Sequence, residues 1–536
     1  MEKPPFQLYI RQELFDHLIY PLSTKLDDAS IIETFRSLHL KSAIDFKISL
    51  QNWFDEAEKN GLSKIEATTL YQTYKIFDSS RSEYSSSSTN SRYEISNNVN
   101  SVDVRYFGLF YALQTFALRI KKSVTIEKAD KNVQSTYMNN FLNSPSAASP
   151  RGKGSNSNRE RAQSQNYEYQ YLVNYVKSNL KLFLRIIASD IHNTETTINA
   201  EEYNTLKFLF KLYDPNDNLN NISTNSIKSN SSGYHKKVNL SDYSACFTHK
   251  SKADKINMNT VYESLMRILM PTPPEQNDYC VIRQLEKCVT IKNEELLNKN
   301  IHISQCKESY IYINTNVLNC KISSCENCTI VVAAVSKITS FDRCDKCNIC
   351  VISNYTRISN MIDSNIYLYT AYEPVLFGDN RGLKLGPHNV SYIDLYAIAK
   401  ESKITINVNG QDMFKNFVFM STNTNEQATI IKPEEFSVLT VPFESKDFTY
   451  KLTPKAYVNA LEDRRRNFAR IKDMIEKANL NNEQEKMFHL ALQGHFRDYL
   501  ISHNKSQAIN TIISMINNPV NRGSEFEEDT YENDKK

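Results

Sequence analysis

Residues 301–370 read IHISQCKESYIYINTNVLNCKISSCENCTIVVAAVSKITSFDRCDKCNICVISNYTRISNMIDSNIYLYT, and this stretch repeats itself at one fixed step along the chain. Cys306, Cys325, Cys344 and Asp363 fall into one column, and Ile311, Ile330, Ile349 and Leu368 into another. Ser309, Cys328, Cys347 and Ile366 form a third, and Ile313, Val332, Val351 and Thr370 a fourth. Ile301 recurs as Cys320, Thr339 and Ile358, whereas Ile303, Ile322 and Phe341 lose their column at Asn360. A fixed period with matched residue types means stacked copies of one supersecondary unit.

Within each repeat the apolar residues stand two apart, as in Ile311 and Ile313, which is strand spacing and puts them on one face. Nineteen residues make room for about three short strands and three bends, closing one coil whose strands pair in parallel with the next coil about 4.8 Å away. The pattern predicts a parallel β-helix over 285–400, with the columns as its interior ladders. Left-handed hexapeptide helices are built from six-residue sides, three to a coil, and the longer step found here does not divide that way.

Cys325-x2-Cys328 and Cys344-x2-Cys347 also match the spacing of a four-cysteine zinc site. Each of these cysteines already belongs to a ladder shared with Cys306, Ser309, Ile366 or Asp363, so the spacing follows from the repeat alone. Packing is therefore the preferred reading, because a free cysteine behaves as a small buried hydrophobe. No metal and no cofactor is expected.

The 536 residues are enough for several domains, and 40% apolar residues with a mean hydropathy of −0.51 fit a soluble protein with polar linkers. The 64 Lys and Arg nearly balance 61 Asp and Glu, which gives no reason to expect a nucleic-acid partner. The start, MEKPPFQLYIRQELF, lacks a signal-peptide core, and no apolar run is long enough for a membrane span. Ten cysteines in such a chain read as reduced cytosolic thiols.

Residues 1–280 read as an α-helical region interrupted by Ser- and Asn-rich insertions at 79–101, 143–166 and 214–237, which are expected to be disordered. Phe6, Ile10, Leu14 and Leu18 suggest a first helix, with others near 43–59, 64–78, 104–119 and 260–270. Tyr169, Val173, Val176, Leu180, Phe183 and Ile187 make a further helical stripe. Beyond the β-helix, 401–450 is expected to add short strands, FSVLTVPF among them, and 454–518 to form a helical hairpin. That hairpin carries Leu461, Phe468, Ile471 and Ile475, then Phe488, Leu492, Phe496 and Leu500, with Arg464–Arg466 facing solvent. Residues 519–536 form a charged tail, expected to be disordered.

The coils resemble the tubulin-binding cofactor C domain family, also called C-CAP or cofactor C-like, and within it the branch associated with centrosomes and basal bodies. The carrying residues are IHISQCKESYIYI at 301–313, KISSCENCTIVVAAVSKITSFDRC at 321–344 and LKLGPHNVSY at 383–392. The likeness continues through EEFSVLTVPFE at 434–444 and the helical stretch 460–501. It implies an α+β multidomain chain built on a right-handed parallel β-helix, flanked by an N-terminal α-helical region and a C-terminal helical hairpin. It also implies a cytoplasmic, cytoskeletal scaffold at the centrosome, basal body or spindle pole region, with protein partners there and tubulin or a small GTPase as candidates.

The alternative within the family is a tubulin-folding cofactor or GTPase-activating protein, whose arginine follows a segment like VVAAV in a QQ-x-R context. Here Val331–Val335 is followed by Ser336, Lys337 and Ile338, with no arginine at that place. Lys337 lacks the planar fork of arginine, and Arg343 lies further along the coil; these two are the weak candidates for such a role. No catalytic residue is otherwise expected. Polysaccharide lyases are another β-helix class, but they need clustered acidic and basic residues on one outer face, and the charges here are scattered.

Overall fold

The computed structural model describes residues 6–18, 27–42, 46–78, 101–129, 157–189, 196–213, 239–247, 251, 254–273, 278–404, 406, 411–420, 428–444, 452–478 and 480–502. The chain divides into two compact units, 1–279 and 280–536. The expectations for 79–100, 143–156, 214–237 and 519–536 lie outside the described residues.

In the first unit, helices Asp28–Lys41, Leu50–Lys59, Lys64–Asp78, Val104–Ala129, Ser157–Ile187 and Met258–Ile268 enclose an aromatic core. Trp53 sits at its centre with no exposed surface, its ring edge-on to Phe107 at 4.8 Å and its Nε1 donating to the Ala67 carbonyl at 2.9 Å. The apolar body of the indole is thus buried and its one polar atom satisfied, as a core tryptophan requires. Helix starts are fixed by side chains that accept the orphan backbone N–H groups, Asp27 from Ser30 and Ser49 from Asn52.

Two expectations for this unit need correction. Phe6 to Leu18 is not one helix: Gln7–Ile10 is a strand paired antiparallel with Phe210–Tyr213, and only Glu13–Asp16 is helical. Leu8, Tyr9 and Ile10 are all buried, and a distant partner strand satisfies their backbone, which overrides the helix-like spacing. Two more short ladders, Lys47–Ile48 with Val102–Asp103 and Thr197–Ile198 with Ile256–Asn257, make the unit mixed rather than purely helical. In addition, the stretch 143–166 does not stay a linker to its end, since the helix carrying Tyr169 already begins at Ser157. SNRERAQSQN holds no Pro or Gly and several strong helix formers, so a helix nucleated by the docked stripe propagates back through it.

The second unit is built on the parallel β-helix. Tyr310–Val317, Thr329–Asp342, Asn348–Ser359 and Asn365–Thr370 stack in parallel, as do Asn300–Ser304 and Asn319–Ser323 below Thr329–Asp342. The coil corner can be followed through six turns as Glu286, Lys307, Glu326, Asp345, Ile362 and Arg381. Ile303, Ile322, Phe341, Ile330, Ile349, Ile366 and Leu385 fill the interior. Each of these coils buries its apolar face only because the next one covers it.

The last coil is Val375–Phe377 and Leu383–Pro387. Beyond it, Val418–Phe419 and Ala428–Ile430 add one short strand to each side, and Phe414, Ile431, Phe436 and Tyr457 join the end of the core. FSVLTVPF forms no strand: Phe436 enters the core, and Leu439, Val441 and Phe443 lie against an outer cluster made by Tyr312, Val331, Cys350, Ile352 and Tyr369. Its alternating side chains still face a sheet, but across the face rather than along an edge. Lys455–Lys477 and Asn482–Ser502 are helices.

Candidate functional site

Each coil turns at a corner where two residues, three positions apart, adopt left-handed backbone. Gln305 and Glu308 do so at φ +55° and +48°, Ser324 and Asn327 at +54° and +51°, Arg343 and Lys346 at +54° and +51°, and Asn360 and Asp363 at +53° and +43°. For side chains other than Gly, Asn or Asp this geometry costs about 1–2 kcal/mol, so the ladder above must hold it in place. In the last coil, Gly378 and Gly382 occupy these positions, where a Cβ would stand 2.4 Å from Asn360 Oδ1 and 2.3 Å from Asp363 Oδ1.

Between the two left-handed residues of these corners lies one buried cysteine in the first three coils named. Cys306, Cys325 and Cys344 point inward, each thiol near the carbonyl two residues before it, at 3.4, 3.5 and 3.7 Å. Cys328 and Cys347 turn in just after the corner in the same way. Hydrogen bonds that the Cys325 thiol donates to the Cys306 and Cys344 sulfurs, reinforced by burial, hold Cys325 well above the ordinary thiol value. A thiol held in this way is a protonated packing group. Among the described residues no group of three or more His, Cys, Asp or Glu side chains could hold a metal ion.

The columns read from the sequence hold through Ile311, Ile330 and Ile349 and through Cys306, Cys325 and Cys344, and then shift. Asp345 pairs with Ile362, which places Met361, not Asp363, above Cys344; Met361 is fully buried and Asp363 is exposed at the corner. Likewise Ile349 continues to Ile366 and Val351 to Leu368, so Leu368 belongs to the Val332 ladder rather than the Ile330 ladder. Phe341, whose column fails at Asn360 in the sequence, continues to Ile358. Two residues drop out between Val351 and Tyr355 relative to Val332 and Ile338, where the register slips twice. A loss of two keeps every side chain on its own face, because strand side chains alternate with period two.

On the outward side of the pleat the same strands carry a polar stripe that is largely covered, with Ser304, Ser323, Ser340, Arg357 and Ser359 all buried. One column is His302, Lys321, Ser340 and Arg357, and the next is Ser304, Ser323, Asp342 and Ser359. His302 Nε2 and Ser323 Oγ stand 2.8 Å apart across adjacent coils. Asp342 is the hub: it accepts from Arg343 Nε at 2.8 Å, from Ser359 Oγ at 2.9 Å and from Asn360 Nδ2 at 2.8 Å.

Lys337 is buried to 7% exposure, and its backbone N–H donates to the Leu318 carbonyl at 3.0 Å. Arg343, half-exposed, is held by Asp342 at the left-handed corner. Arg357, which the sequence reading did not single out, is the arginine nearest in kind to a functional one. It is 1% exposed, and its guanidinium lies 5.0 Å over the Phe377 ring, with burial lowering its pKa to about 10. The signal available was a lone arginine in the strand NYTRIS, at an outward position of the pleat. The arrangement buries Lys337 and Arg357, holds Arg343 on Asp342, and links its hydroxyl, amide and imidazole groups to one another across adjacent coils, which ties the stacked strands together.

The protein is thus a six-turn parallel β-solenoid with a polar outer stripe, between helical segments of the same chain. Residues 298–417 match the family described as tubulin binding cofactor C, and the chain carries a domain of that family. It is 23% identical over 246 residues to a TBCC domain-containing protein 1 of Xenopus tropicalis, covering 45% of each chain. Proteins of the same name from Mus musculus and Homo sapiens are each 22% identical, over 244 and 245 residues, covering 45% of this chain and 44% of theirs. The match therefore spans less than half the length of these relatives. Among the described residues no helix is long and apolar enough to cross a membrane.

Proposed function

We propose that the chain is a non-enzymatic cytoskeletal scaffold at microtubule-organising centres, where it anchors or positions centrosomes or basal bodies. The observation that carries this reading is the state of the segment after Val331–Val335. Lys337, the cation at that place, is buried in the solenoid wall, and Arg343 is held by Asp342. A finger that stabilises a phosphoryl transition state needs a guanidinium that reaches out of its own protein into another active site, and neither residue offers one. A rigid solenoid that repeats one unit coil after coil is instead suited to holding partners at fixed spacing. The family description supports a tubulin-related context, and the relatives' names give a domain and no reaction.

The proposal is tested by tagging the full chain and locating it against a centrosome or basal-body marker, with and without residues 285–400. Signal at the organelle that persists after microtubule depolymerisation and is lost with the solenoid is the expected result. A diffuse signal with co-purifying αβ-tubulin would favour the folding-cofactor reading instead. In parallel, single-turnover GTP hydrolysis by tubulin, or by a small GTPase, is expected to be unchanged by the chain. A stimulation approaching the ~10³-fold typical of arginine fingers would refute the non-enzymatic assignment.

A further inference from the structure

We infer that helices Lys455–Lys477 and Asn482–Ser502 form a self-association module, in which two copies of the chain combine their helix pairs into one four-helix bundle. The first helix begins docked: Tyr457 is buried in the end of the solenoid core, its Oη donates to the Ile431 carbonyl at 2.7 Å, and Leu461 packs beside it. Arg464, next on that side of the helix, donates to the Phe436 carbonyl, so no loose charge sits on the stripe. The same stripe then runs on as Phe468, Ile471 and Ile475, all exposed, with Phe468 at 72%. An apolar stripe that is buried at its start and bare for the turns that follow is an interface only partly used.

The second helix is apolar on two opposite sides. With about 3.6 residues per turn, Phe488, Leu492, Phe496 and Tyr499 share one side, and Met487, Leu490 and Ile501 share the other. Leu490 and Ile501 are 63% and 61% exposed, and Leu492 and Phe496 55% and 57%. A helix with apolar residues on two opposite sides needs a neighbour on each of them. One neighbour from its own chain can cover only one side, and the second side needs further helices. A second copy brings two more of matching length and makes a closed, two-fold arrangement.

Charge favours the same occupant. The first helix carries seven Lys and Arg against four Asp and Glu, whereas the second carries three Asp and Glu against two Lys and Arg. In a two-fold assembly the basic helix of each copy lies against the acidic helix of the other, so the pairing is self-complementary. Gly494 adds a steric point: a Cβ there meets nothing within 4 Å, and it lies on the side of Met487, Leu490 and Ile501. Glycine inside a helix costs about 1 kcal/mol against alanine, and a close helix approach at that spot would use the room it leaves.

The test is sedimentation equilibrium of the full chain, of Leu490→Asp/Ile501→Asp, and of a chain ending at Ser502. The wild type is expected to be a dimer at concentrations roughly tenfold above a micromolar dissociation constant. The double variant is expected to raise that constant by about 100-fold or more, as loss of central apolar anchors does, with unchanged far-ultraviolet helicity. The chain ending at Ser502 is expected to remain dimeric. A monomeric wild type, a dimer that survives the double variant, or loss of the dimer on removing 503–536 would each overturn the proposal. The last outcome would identify the chain's own terminal segment, with its apolar Ile509, Ile512, Ile513 and Ile516, as what covers the helices.

Discussion

Asp345 pairs with Ile362 across adjacent coils, a step shorter by two than those from Lys307 to Glu326 and from Glu326 to Asp345. The pairing decides which residue stands over Cys344, and it gives a direct stability test. Met361→Ala should cost about 2–5 kcal/mol, the usual range for emptying a buried methionine site. Asp363→Ala at the exposed left-handed corner should cost only about 1–2 kcal/mol, the strain of that backbone for alanine, and Asp363→Gly should be neutral or stabilising because glycine adopts that backbone freely. Urea denaturation of the three variants checks this. Equal losses at 361 and 363 would restore the uniform ladder read from the sequence.

The solenoid was legible because its side chains obey two rules at once, period two along the strand and one fixed step between coils. Cys306, Cys325 and Cys344 needed no structure to be aligned. What misled the reading was the two-residue loss between Val351 and Tyr355, which shifts Ile366, Leu368 and Asp363 by one inward position while leaving an apolar residue at nearly every expected place. Asn360 was the visible clue, since a polar residue in the Phe341 column marks the slip that the structure resolves by placing Ile358 there. The stripe Phe6 to Leu18 failed for another reason: its partner strand, Phe210–Tyr213, lies far along the chain, and pairing at that separation leaves no local trace. Arg357 was missed because nothing in NYTRIS says that Phe377, one coil on, will lie under it.

Acid should loosen the solenoid unit through His388. This ring is fully buried, and burial, only partly opposed by the Val390 backbone, lowers its pKa from 6.5 to about 3. The folded form therefore stays neutral while the unfolded chain takes up a proton below pH 6.5. The stability this residue permits is complete above that pH and falls as pH drops from about 6.5 towards 3, by about 1.4 kcal/mol per unit. Chemical denaturation from pH 7 to 4 should show that slope, and His388→Leu should flatten it. An unchanged slope in the variant would show that other groups carry the acid sensitivity.

Thiol chemistry should follow burial. Cys246, Cys280 and Cys288 are partly accessible, and the other seven cysteines are buried. A thiol reagent added to native protein should modify at most the three accessible groups quickly, and the remainder only with denaturant. Elemental analysis should find no stoichiometric zinc, and Cys325→Ala should lower stability by about 1 kcal/mol through lost packing without any sensitivity to chelators. Bound zinc together with chelator-induced unfolding would revive the four-cysteine site.

Arg357 separates packing from charge as its reason for being in the wall. Burial brings its pKa down to about 10, so it is still protonated at neutral pH, and Asp342 and the Phe377 ring are the groups that make a buried cation tolerable there. Arg357→Ala removes both the charge and the long stem that fills the space over Phe377, and should destabilise by about 3 kcal/mol. Arg357→Met keeps most of the stem and removes the desolvated charge, a change that at other buried ion sites is often neutral, so it should recover most of the loss. Urea titration of the two variants reads this directly. If Met proves as costly as Ala, the guanidinium itself holds the outer stripe together, and Asp342→Asn should then produce a loss of similar size.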